Sequence, residues 1–158
     1  MAGAAAYPRT EARWRKNPDG KRTLKEALAI GRRHELPVDD PAIVLGEPRH
    51  FPNGELAVYG VKTTAEVICV KDFVGPDERA YIRLNPAILD RDDAILAVLI
   101  HELHEIEKLI DAFAENGGRL TKRQLLSLID PRIGTLHDEA WDRADQVVGS
   151  LIDQGTWP

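Results

Sequence analysis

One stretch constrains this chain more than any other: Ala94 to Phe113, AILAVLIHELHEIEKLIDAF, the longest run with helical patterning and the carrier of two of the five histidines. Set on a helical wheel at 100° per residue with His101 at 0°, Ile95 and Phe113 fall near 120°, Ile106 near 140°, Leu99 near 160° and Ile110 near 180°. The core-facing stripe is therefore centred at roughly 140°, with His101 and Glu105 on its border and one above the other. Glu102, near 100°, falls inside the apolar arc, where an acid is costly unless something pairs with it.

With 158 residues, 43% of them apolar and 30% charged, the chain has the size and balance of a single globular domain with a core of its own. The longest unbroken apolar run, Ala94 to Ile100, is too short to cross a bilayer, and the start MAGAAAY lacks the basic and apolar regions of a signal peptide. The expectation is a cytoplasmic protein, or an effector that is secreted by another route. Cys69 is the one cysteine, so no internal disulfide staples the fold. The net charge of -5 is unevenly spread: residues 1–35 hold nine Lys/Arg against four Asp/Glu, so the rest is strongly acidic. A basic arm could touch nucleic acid or an acidic partner, but no aromatic-interleaved basic motif follows, and an acidic body argues against a nucleic-acid groove.

In chain order, residues 1–19 read as a flexible basic leader with Trp14 as its only large apolar group, and residues 20–158 as one domain. Leu24, Ala27, Leu28 and Ile30 recur at helical spacing, predicting a helix over about 21–34, with Arg32 and Arg33 suited to its C-terminal dipole and His34 charged at its end. The run 42–46 is β-like, Asn53-Gly54 marks a tight hairpin, and His50 before it reads as an exposed loop residue. Residues 65–74 and 79–84, rich in β-branched and aromatic residues, are expected to pair as a hairpin about Gly75-Pro76-Asp77. Asn85-Pro86 starts a helical turn, Asp90, Asp92 and Asp93 load the start of the long helix, and Gly117-Gly118 ends it. Thr121 with Gln124 makes a capping box for a short helix to Ile129. Thr135 with Asp138 resembles a second one, opening a last helix to about Asp153. The fold class expected is α+β: an N-terminal helix, a small mainly antiparallel sheet, the long HELHE helix and two C-terminal helices.

The sequence YIRLNPAILDRDDAIL followed by AVLIHELHE resembles the stretch in which zincin metallopeptidases pass from an active-site edge strand into the metal helix, with H-E-x-x-E where the family has H-E-x-x-H. The resemblance implies a zincin-like fold and one Zn²⁺. It also implies hydrolysis of a peptide or related amide, with Glu102 as general base and the metal held by His101 and Glu105. His104, an i,i+3 neighbour of His101, is the competing second ligand, and carboxylate for imidazole changes the site's charge and metal preference. His137 is the candidate third ligand, placed in the first turn of the last helix where the dipole disfavours imidazolium, with Asp138 or Asp145 as substitutes. Compact domains with a linker-like leader also resemble toxin or effector modules of larger bacterial proteins. The alternatives are a hydrolase acting on a non-peptide substrate, or a non-catalytic module whose acidic last helix (Asp138, Glu139, Asp142, Asp145) meets a protein partner.

Overall fold

A computed structural model describes residues 9–39, 43–46, 55–57, 67–69, 80–84, 86–129 and 135–155. Four α-helices dominate: α1 (Leu24–Arg33), α2 (Asp92–Glu115), α3 (Lys122–Ile129) and α4 (Leu136–Gln154). The five strands are three- or four-residue pieces: β1 (Ile43–Gly46), β2 (Glu55–Ala57), β3 (Val67–Cys69), β4 (Ala80–Arg83) and β5 (Arg119–Thr121).

This corrects the expected α+β class. Where side chains are described, 68% of residues are helical and β5 is the only strand. The expected single sheet is corrected with it: the strands form two short sheets, β4 parallel to β1 and antiparallel to β2 in one, and β3 antiparallel to β5 in the other. The hairpin of residues 65–74 with 79–84 is absent from the described pairing: β3 pairs instead with β5, in the connection between α2 and α3. β-branched and aromatic residues mark chain that suits a pleated surface, but a ladder's length and partner are decided by what packs beside it. The Asn53-Gly54 turn, Gly75-Pro76-Asp77 and His50 lie outside the described residues.

The helices form for reasons written locally. Thr23 caps α1, its hydroxyl accepting from the Glu26 N–H while Glu26 accepts from the Thr23 N–H, a reciprocal box. Thr121 and Gln124 make the same box on α3, at 2.9 and 3.1 Å. On α4 the expected Thr135–Asp138 box does not form, and the Thr135 hydroxyl bonds Glu139 at 3.0 Å instead. Gly117 and Gly118, at φ of 68° and 82°, turn the chain out of α2 in the left-handed region that other residues avoid. At the end of α1, His34 departs from the charged state expected of it, because burial and then the Arg33 charge lower its pKa.

The core gathers around α2, whose residues from Asp92 to Leu103 are all buried. α1 lays Ala27 and Ile30 against it, Leu84 comes from just past β4 and Leu120 from the middle of β5, and α4 supplies Leu136, Ala140, Ala144 and Val148. Close approach of α1 depends on Gly31, where an added Cβ would stand 2.7 Å from a Val38 methyl and 3.2 Å from one of Leu99.

The expected flexible leader is tied down from Arg9 onward. The Arg9 and Thr10 N–H groups and the Thr10 hydroxyl all donate to Asp145 of α4, at 2.7, 3.0 and 2.8 Å. Trp14, half-buried against the core, donates its indole N–H back to the Thr10 hydroxyl. The Arg15 N–H donates to Asp93, and Asn17 and Arg22 converge on Asp92, the latter through two bonds of 2.8 and 2.9 Å. Buried carboxylates need partners, and these three find them in the basic arm. Among the described residues no helix is long and apolar enough to cross a membrane.

Candidate metal centre

Helix periodicity and one tertiary contact build the site. His101 and Glu105, one turn apart on α2, bring the His101 Nε2 to 3.0 Å from the Glu105 Oε1. α4 then delivers His137 from the far end of the chain, its Nδ1 3.2 Å from the same oxygen. One ligand atom from each of the three side chains lies within 4.8 Å of the others. His101 is buried at 3% exposure, while the Glu105 and His137 side chains keep 17% and 24%.

Trp141, one turn below His137, completes the arrangement. Its ring stacks on His101 with centroids 3.9 Å apart and a tilt of 31°, and its indole N–H donates to the His137 Nε2 at 3.2 Å. An indole N–H only donates, so that His137 nitrogen accepts and the proton of the neutral ring sits on Nδ1, directed at Glu105. This bond depends on ring orientation, which helical spacing leaves open. Burial pushes the Glu105 carboxyl up, but hydrogen bonds from His101 and His137 outweigh it and hold the pKa at about 2.

The donor set suits a divalent ion. Zinc bonds of about 2.0–2.2 Å at tetrahedral angles set ligand atoms roughly 3.4 Å apart, close to the two nitrogen-to-oxygen spacings of 3.0 and 3.2 Å, within a set whose atoms all lie within 4.8 Å. Two imidazoles and one carboxylate also form an accepted catalytic set, with a fourth position for water. One adjustment is needed: a metal on the His137 Nδ1 leaves the proton on Nε2, facing the Trp141 N–H, so that bond has to open on loading.

Of the residues singled out in the sequence, the structure brings together His101, Glu105 and His137. Glu102 follows His101 on the helix and is buried at 3% exposure, outside this group of three. His104 points elsewhere, into a cleft of about 380 Å³ between Leu36, Ile100, Leu103 and Ile110. Asp145 is engaged by Arg9 and Thr10, and neither it nor Asp138 joins the cluster. Elsewhere on α4, Asp142 pairs with Arg9 and Asp153 with Arg13.

No protein-family model matches this chain, and no curated protein or solved structure matches it either.

Proposed function

We propose that this protein is a zinc-dependent hydrolase of the peptidase type, with His101, Glu105 and His137 holding the metal and Glu102 acting as general base. The observation that carries the reading is the meeting of two imidazole nitrogens with one carboxylate oxygen, Glu105 and His137 lying 32 residues apart on different helices. A bound zinc would supply Lewis acidity, polarising an amide carbonyl and lowering the pKa of water. The residues do the rest. Glu105 is ionised across the whole neutral range and so available as an oxygen ligand. The stack on Trp141 fixes the plane of the His101 ring. Glu102, beside His101 on the helix, would take the proton from the attacking water and pass it to the leaving amine of a peptide or protein substrate.

Metal content of purified protein after zinc loading tests this directly. One equivalent is expected for the wild type. His101→Ala or His137→Ala should weaken binding by more than about a hundredfold, beyond what loss of a group that merely orients a ligand costs. Glu102→Gln should keep the metal and lower hydrolysis of a peptide library by about 10²–10⁴-fold. Sub-stoichiometric zinc in the wild type would sink the proposal.

A second reading, a non-catalytic interaction module, is favoured by Trp141. Its ring covers one face of His101 and its N–H closes a hydrogen-bonded chain through His137 to Glu105. On that reading the cluster is a polar staple between α2 and α4, and zinc has no effect on the protein.

A further inference from the structure

The basic segment 9–22 crosses the same two helices that carry the cluster, and it does so at matched places. Asp93 lies eight residues before His101 on α2, and Asp145 eight residues after His137 on α4. At about 1.5 Å per residue, each anchor is roughly 12 Å along its helix from the cluster. His101 meets His137 at one level while the segment spans Asp93 and Asp145 at another, so the helices run antiparallel and are tied at two points.

The quality of the anchors separates them. Arg9 is 74% exposed and Asp142 63%, so their ion pair is worth little. Thr10 and Asp145, by contrast, are 5% and 8% exposed, and the carboxylate there receives three hydrogen bonds from the segment. Arg15 adds its N–H to Asp93, which is 2% exposed. The segment between these anchors is held by hydrogen bonds and by Trp14, whose ring is only half-buried. Asn17 and Arg22, bonded to Asp92 and to the Asp90 and Leu89 carbonyls, fix the far end of the segment, so a break at Thr10–Asp145 frees residues 9–15 alone.

We propose that residues 9–15 are a latch on the His101–Glu105–His137 cluster: closed, the latch seats α4 so that His137 faces Glu105, and opening it moves His137 out of reach. On the metal reading given above, on which this part rests, the latch sets zinc affinity, and by reciprocity zinc holds the latch shut. Regulation of the site would then come from anything that competes for Asp145.

The experiment uses the full chain with Asp145→Asn, which turns an amide NH₂ toward the segment's donors, and Thr10→Val, which keeps shape and removes the hydroxyl. Three quantities are read by NMR and zinc titration: exchange of the Arg9, Thr10 and Arg15 amides, zinc affinity against a competing chelator, and the Trp141 indole N–H resonance in metal-free protein. Faster amide exchange should accompany about fivefold or greater loss of zinc affinity, with a displaced indole resonance. Zinc added to the wild type should slow exchange of the same amides. Freely exchanging amides with affinity and indole unchanged would overturn the latch. If the wild type takes no zinc, the metal reading fails and the indole decides alone: a displaced resonance supports coupling of segment to cluster, an unmoved one refutes it. Should Asp145→Asn not fold, Thr10→Val carries the same comparison.

Discussion

At the residue scale the molecule turns on which nitrogen of His137 carries its proton. The Trp141 N–H selects Nε2 as acceptor, which leaves Nδ1–H to serve Glu105, and Glu105 in turn collects a second N–H from His101. Zinc would exchange both of those protons for itself and put a proton on the His137 Nε2, against the indole. Metal binding at the cluster therefore should move the Trp141 indole N–H resonance by several tenths of a ppm or quench its hydrogen-bonded signature, saturating at one equivalent. An indole unaffected by stoichiometric zinc would place the metal at other residues. None of this was readable from HELHE and His137 alone. Periodicity puts His101 and Glu105 on one face, and the start of the last helix makes His137 a fair ligand candidate. A tautomer, however, is assigned by its hydrogen-bond partner, and that partner is set by packing.

At the scale of elements, α1 shows how a single missing side chain sets a distance. Gly31 lets the helix approach until the Val38 methyl and Leu99 occupy the space of a Cβ. Alanine in a helix is worth about 1 kcal/mol over glycine, while overpacking a core contact costs about 1–3 kcal/mol. The clash at 2.7 Å should win, so Gly31→Ala is expected to lower unfolding free energy by about 1–2 kcal/mol in urea titration, and Val38→Ala in the same chain should recover part of that loss. Equal stability of Gly31→Ala and wild type would show that α1 can simply move away. The capping boxes of α1 and α3 are fully local, and the second was legible as Thr121 with Gln124. The strands were not legible in the same way. Val67–Cys69 finds its partner in Arg119–Thr121, some fifty residues on, and no local signal names it.

At the scale of the whole molecule, part of the charge asymmetry is met inside the chain. Three of the nine basic side chains of residues 1–35, Arg9, Arg13 and Arg22, pair with acids of α2 and α4. Arg22 to Asp92 is the strongest of these links: two hydrogen bonds to a carboxylate with 7% side-chain exposure. Arg22→Ala strands a buried charge with Asn17 as its remaining side-chain support, and unfolding free energy should fall by about 3 kcal/mol. A loss below about 1 kcal/mol, measured by urea titration, would mean that Asn17 and the N-terminal helix dipole suffice.

By itself, then, the sequence determined what depends on neighbours along the chain. This includes the long helix and its glycine stop, the apolar stripe, the face shared by His101 and Glu105, and the acids at the start of α2. Tertiary structure decided what depends on partners far apart in the chain. It brought His137 to Glu105 and turned His104 into a different cleft. It assigned Asp92, Asp93 and Asp145 to the arm, and reduced the expected sheet to short ladders beside a mainly helical core. The physical reason is the same throughout: periodicity and capping act within a few residues, whereas a buried polar group takes whichever partner the packed helices bring within about 3 Å.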